Sequence, residues 1–142
     1  MPHAVYTFLR QVHDGVWNLA SLTYKDERKL QFAPQDTTSS KLLYREYSAK
    51  YPHAQWTVGY NGVGPDFYIS LQDNVQEYGP GDGWHAEGDS CFGKIVEGWD
   101  ILERIAMIPP YMGGDEEEET LASIYEVKLL QALLIKPREE NG

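Results

Sequence analysis

The chain has 142 residues, 42% of them hydrophobic and 24% charged, which is the composition of one globular domain. A formal net charge of -10 opposes a nucleic-acid partner, because phosphate backbones are bound by basic surfaces. The single cysteine, Cys91, excludes an intramolecular disulfide, and no apolar run is long enough to cross a membrane. The first residues lack the pattern of a signal peptide. Because the natural chain could begin further upstream, we make no prediction of its cellular location.

The N-terminal third predicts a helix and a pair of strands. Over residues 2–12, apolar side chains recur at three- and four-residue spacing, Pro2 suits the first helical position, and Gly15 favours the end of the helix. Loose alternation over residues 16–24 and a short apolar run over 29–33 flank a charged turn, which predicts a twisted antiparallel pair. The helical residues expected to face the core are Ala4, Val5, Phe8, Leu9 and Val12.

The middle of the chain predicts a hairpin. Residues 41–51 fit either a helix or irregular structure, and Pro52 ends any helix there. Apolar and polar side chains alternate over residues 55–61, and a glycine-rich turn leads directly into the apolar run at 66–71. Two strands across a tight turn are typical of a β-hairpin.

The C-terminal half predicts a strand, a helix and a final strand. A Gly- and Asp-rich loop leads to a short strand over residues 90–96 and an amphipathic helix over 99–105. The acidic segment 113–120 is expected to be a solvated surface loop, with a calcium or basic-partner site as the less favoured interpretation. The apolar, β-branched stretch 124–135 predicts a central strand.

Several of these segments resemble a cyclophilin-type peptidyl-prolyl isomerase domain. Residues 92–98, FGKIVEG, match the family's Phe-Gly-x-Val-x-x-Gly, and residues 65–69, PDFYI, stand in place of its Ser-Gln-Phe-Phe-Ile strand. Residues 59–62 are a weaker echo of its Met-Ala-Asn-Ala-Gly segment, and residues 2–9 are similar to its first helix. The resemblance covers most of the chain and is best over 56–105.

The resemblance implies a mainly β fold, a single cyclophilin-like domain over residues 1–142 with two helices flanking a barrel. In the family, two strands precede the first helix, whereas this sequence starts at that helix. We therefore expect a barrel that is incomplete at its N-terminal side, since missing strands leave sheet edges unpaired. A start further upstream is the favoured explanation, and a second chain filling the gap or a rearranged fold are the alternatives.

The function implied by the resemblance is cis–trans isomerisation of proline-containing peptide segments, without a cofactor. Rotation about an X–Pro bond faces a barrier of about 20 kcal/mol, and the family's Arg donates a hydrogen bond toward the prolyl nitrogen. That Arg falls on Tyr24 here, a neutral donor, so we expect activity that is weak or lost. The alternatives are a non-catalytic module that binds proline peptides and a fragment without independent function.

The candidate substrate-binding residues also follow from the resemblance. Tyr68 aligns with the pocket residue that receives proline, and strand alternation places it opposite Phe67. Gln31 is either a groove-lining residue or an ordinary edge-strand glutamine, and Phe92 is either a pocket residue or core. No histidine spacing predicts a metal site. The full candidate set is Gln31, Asn61, Asp66, Tyr68, Trp84, His85 and Phe92.

Overall fold

A computed structural model describes residues 2–36, 38, 41–81, 87–108 and 127–135. These ranges contain two helices and six strands. The helices are α1 (Pro2–His13) and α2 (Trp99–Met107). The strands are β1 (Ala20–Lys25), β2 (Lys29–Ala33), β3 (Thr57–Tyr60), β4 (Phe67–Ser70), β5 (Cys91–Lys94) and β6 (Lys128–Leu129). The predicted acidic loop at 113–120 lies outside the described residues.

Helix α1 ends where glycine was predicted to end it. Gly15 has a positive φ of 74°, a conformation that glycine adopts without a Cβ penalty. Its N–H donates to the Val12 carbonyl (3.1 Å), and the Val16 N–H donates to the Gln11 carbonyl (3.0 Å). These two bonds satisfy carbonyls that the last turn of a helix otherwise leaves without partners.

The start of α1 is bound by a distant carboxylate. Glu46 accepts hydrogen bonds from the backbone N–H of His3 (3.3 Å) and of Ala4 (2.9 Å). A carboxylate at a helix N-terminus accepts hydrogen bonds from otherwise unpaired N–H groups and interacts favourably with the positive end of the helix dipole. Residues 41–51, left open between helix and irregular structure, are irregular, and Glu46 ties this segment to α1.

The strands form one antiparallel sheet in the order β5-β3-β4-β2-β1-β6. The predicted pair β1–β2 and the predicted hairpin β3–β4 are both present, and β2 pairs with β4 so that Gln31 lies opposite Tyr68. Within the described ranges no pairing joins the two edge strands β5 and β6, so the sheet is not closed. The expectation of an incomplete barrel is confirmed.

The core lies between α1 and one face of the sheet, and aromatic side chains dominate it. Phe67 contacts the rings of Trp17 and Phe8 edge-on, with centroids 4.5 and 5.5 Å apart. The Tyr60 hydroxyl and the Trp17 Nε1–H both donate to Gln11 Oε1, which satisfies three buried polar side chains together. Buried core residues are Ala4, Val12, Trp17, Ala20, Leu22, Leu30, Phe32, Leu42, Tyr60, Phe67 and Ile69.

Two expectations about the fold are wrong. The described part of the stretch 124–135 is not a central strand, because only Lys128–Leu129 forms a strand there, at the sheet edge, with one further backbone bond from the Leu22 N–H to the Val127 carbonyl. Beyond this pair the Ala132 N–H donates to the side-chain oxygen of Asn18 rather than to a strand, and the apolar side chains that follow are mostly exposed. On α1, Val5 and Leu9 are exposed instead of facing the core.

Candidate functional site

A cleft of about 500 Å³ opens on the face of the sheet opposite the aromatic core. We call it the tyrosine cleft. Its walls come from β1, β2, the turn between them, the turn after β3 and the loop before β5. The lining residues are Tyr24, Asp26, Arg28, Lys29, Gln31, Asn61, Glu77, Tyr78, Gly88 and Asp89.

Most of the candidate residues that the structure describes converge on this cleft. Tyr24, Gln31 and Asn61 line it directly. Gln31 Nε2 donates to Asp66 Oδ2 at 3.3 Å, and burial raises the pKa of that carboxyl group. Tyr68 lies opposite Gln31 in the β2–β4 ladder, which places its ring beneath the same cleft.

Tyr68 is anchored to the loop before β5 by its hydroxyl. The side chain is 1% exposed, and its O–H donates to Asp89 Oδ2 at 2.9 Å. The other oxygen of Asp89 accepts from the Gly62 N–H (3.0 Å), and its backbone carbonyl accepts from His53 Nε2 (2.8 Å). Burial raises the pKa of Tyr68, so the hydroxyl stays protonated and acts as a donor.

The ammonium group of Lys29 lies between three tyrosine rings at the bottom of the cleft. Its Nζ is 4.8 Å from the ring centroid of Tyr68 and 5.4 Å from those of Tyr24 and Tyr78. It also donates to Gln31 Oε1 at 2.8 Å. Burial lowers the pKa of Lys29, against the attraction of nearby carboxylates. The face of Tyr68 that points into the cleft is therefore covered by a cation of the same chain.

Tyr24 stands at the rim and is 48% exposed. Its O–H donates to Asp26 Oδ2 at 3.1 Å, and burial, together with this hydrogen bond, raises the pKa of the phenol. Asp26 also organises the β1–β2 turn, since its Oδ1 accepts from the N–H groups of Arg28 and Lys29. The position of Tyr24 thus carries a neutral donor that is already engaged.

Among the remaining candidates, Phe92 is described by the structure and does not line the tyrosine cleft. Phe92 packs on the core side, with its ring centroid 4.8 Å from that of Phe8 and 4.7 Å from that of Tyr60. It lines a second cleft on the other side of β5, beside Val5. Trp84 and His85 lie outside the described residues.

Among the lining residues that sequence reasoning missed, Lys29, Tyr78 and Asp89 make the contacts with Tyr68. Strand alternation places Lys29 on the same side of β2 as Gln31, two positions away, and this signal was available. Tyr78 and Asp89 come from a loop without periodicity, so only the folded chain reveals them. Among the described residues no cluster of His, Cys, Asp or Glu could hold a metal ion.

The comparisons with known proteins show what this architecture is. No family model and no curated protein sequence matches the chain. Two solved structures of a Cryptosporidium parvum cyclophilin-type peptidyl-prolyl cis-trans isomerase are similar to it at 15% sequence identity. One, solved in the presence of the dipeptide Ala-Pro, has a TM-score of 0.61, and the similarity covers 84% of this chain and 80% of that chain. The other has a TM-score of 0.62, with 84% and 79% covered.

This likeness shows the fold. The chain has a cyclophilin-like architecture, and the described sheet is an open version of the barrel. None of the helices in the described ranges is long and apolar enough to span a membrane.

Proposed function

We propose that this cyclophilin-like chain, one domain over residues 1–142, binds proline-containing peptide segments in the tyrosine cleft and accelerates X–Pro isomerisation weakly or not at all. The observation that carries the proposal is the convergence of Tyr24, Gln31 and Asn61 on one cleft, with Asp66 bonded to Gln31 and Tyr68 beneath it. These positions come from segments that are distant in the sequence.

The fold likeness supports the choice of ligand. The similar Cryptosporidium parvum structure was solved in the presence of the dipeptide Ala-Pro. In this chain the cleft offers aromatic walls from Tyr24 and Tyr78, and polar groups from Gln31 and Asn61 that could orient a peptide backbone. A concave site with aromatic walls and a few convergent polar groups is typical of ligand binding.

Weak catalysis follows from the donor at Tyr24. Twisting the X–Pro bond localises an electron pair on the prolyl nitrogen, and a charged donor in a dry groove stabilises that state better than a neutral one. The Tyr24 hydroxyl is neutral and is already bonded to Asp26. Of the two cationic residues that line the cleft, Lys29 is held between the tyrosine rings and Arg28 is exposed at the rim.

NMR exchange spectroscopy on a short Ala-Pro peptide tests both parts of the proposal. We expect wild-type chain to perturb the peptide resonances with little or no acceleration of cis–trans exchange, and Tyr24→Arg to increase the exchange rate. The matched control is Tyr44→Arg, which adds the same charge at a tyrosine that is 55% exposed and does not line the cleft.

The outcomes are distinct. If Tyr24→Arg changes neither the affinity for the peptide nor its exchange rate, Tyr24 is not part of the binding site. Rapid exchange with the wild-type chain would show that a strong isomerase does not need an arginine at this position. The absence of any peptide perturbation would contradict the proposed function as a whole.

A further inference from the structure

The tyrosine cleft already contains a bound cation, which is the Lys29 side chain. Three aromatic faces and the side-chain oxygen Oε1 of Gln31 surround its Nζ. Aromatic faces within about 6 Å attract an ammonium group through the ring quadrupole. A ligand side chain that contacts the Tyr68 ring from the cleft would compete with Lys29 for this same place.

Carboxylates favour a cation at this position. Asp26, Asp89 and Asp66 each act on Lys29 through Coulomb attraction. If a ligand displaces Lys29 with an apolar group, these carboxylates and the three rings lose their cation in a half-buried site, which is unfavourable.

A ligand that brings its own ammonium group avoids this loss. It replaces one cation by another between the same rings and carboxylates, while Lys29 returns to water and recovers its hydration. The burial that opposes the charged form of Lys29 also opposes the incoming ammonium, so the two desolvation costs nearly cancel in the exchange. At the rim, Glu77 adds to the attraction for a second cation, whereas Arg28 opposes it.

We propose that the tyrosine cleft selects proline peptides that carry a basic side chain next to the proline, and that Lys29 is the internal competitor which such a side chain displaces. This inference rests on the proposed function, because it specifies the class of peptide bound at the same cleft. The net charge of -10 on the chain also favours encounter with cationic peptides.

A matched peptide pair tests the inference without any variant. Two blocked tetrapeptides that differ only in lysine or norleucine before proline have the same aliphatic stem, and only one carries an ammonium group. Titration followed by NMR should give a dissociation constant for the lysine peptide that is about twofold to thirtyfold lower. The resonances of Tyr24 and Tyr78 should shift with the lysine peptide.

The Lys29→Met variant tests the competition. It removes the internal ammonium group but keeps an unbranched side chain, so the preference for lysine over norleucine should become larger than in wild type. Lys94→Met is the matched control, since it removes the same charge from an exposed position on β5 outside the cleft and should leave the preference unchanged.

The possible failures separate the two proposals. Equal affinity for the two peptides, in wild type and in Lys29→Met, overturns cation selection while leaving proline-peptide binding intact. A lysine preference that Lys29→Met fails to increase overturns Lys29 as the competitor. If neither peptide binds, both the selection and the proposed function are wrong.

Discussion

Replacing Tyr68 by phenylalanine would measure how firmly the floor of the tyrosine cleft is held. The change removes one hydroxyl from a side chain that is 1% exposed and keeps the ring in place. Asp89 Oδ2 loses the donor at 2.9 Å, and water cannot easily replace it because Asp89 is 7% exposed. A hydrogen bond to a charged group contributes roughly 1.5–3 kcal/mol, so we expect the free energy of unfolding to fall by about 2 kcal/mol.

Urea unfolding followed by tryptophan fluorescence is the assay, because the chain has four tryptophans. With a slope of roughly 2 kcal/mol per molar urea, the midpoint should fall by about 1 M. Tyr24→Phe is the matched control, since it removes a hydroxyl that also donates to an aspartate but lies at the exposed rim, and it should cost less than about 0.5 kcal/mol. A Tyr68→Phe midpoint equal to that of Tyr24→Phe would refute the role of the buried bond.

Two further predictions concern the scaffold around this floor. Gly59→Ala should lower the free energy of unfolding by roughly 1–3 kcal/mol in the same urea assay, because an added Cβ would lie 2.7 Å from the Ser90 carbonyl oxygen, whereas Gly93→Ala on the paired strand has room and should be nearly neutral. Burial lowers the pKa of His53 below its usual 6.5, so the unfolded chain takes up its proton first, and the stabilisation present above pH 6.5 is lost on acidification. The melting temperature should therefore fall less between pH 7 and 5 in His53→Gln than in wild type. His13→Gln is the control, because His13 is exposed, and its melting temperature should fall as much as that of wild type. A fall in His13→Gln that is as small as in His53→Gln would contradict the role of His53.

The β3–β4 hairpin shows what sequence patterns predict well. Its alternation and its glycine-rich turn are both local signals, and together they determine which face each side chain occupies. The prediction that Tyr68 and Phe67 point to opposite faces is confirmed: Phe67 belongs to the aromatic core, and Tyr68 packs beneath the cleft against Lys29 and Tyr78.

The final segment shows where such patterns fail. Residues 124–135 are apolar enough for a buried strand, but an apolar run does not specify whether a neighbouring strand is present to pair with it. Here Leu130, Leu133 and Ile135 are mostly exposed, and pairing in the described part is limited to Lys128–Leu129. Pairing depends on a partner from elsewhere in the fold, and a single segment contains no information about it.

The cleft itself could be predicted only in outline, because its character comes from contacts between distant segments. The ring of Tyr78 lies 4.8 Å from that of Tyr68 by virtue of a loop, and Asp89 reaches the Tyr68 hydroxyl from the end of the same loop. A resemblance identifies positions such as Gln31 that occupy equivalent places in the fold. It does not reveal the groups that this particular chain has added around them.

The positions of Tyr24 and Lys29 also change what the missing arginine means. Tyr24 pairs with Gln31 across β1 and β2, and Lys29 lies on the same side of β2 as Gln31, so a positive charge remains within the cleft although the arginine position is a tyrosine. That charge is held by three rings and by the side-chain oxygen of Gln31. A lysine also lacks the rigid planar donors of a guanidinium. Hence the cleft does not lack a cation. It lacks a charged donor at the position of Tyr24, because Lys29 lies between the rings and Arg28 lies at the exposed rim of the same cleft.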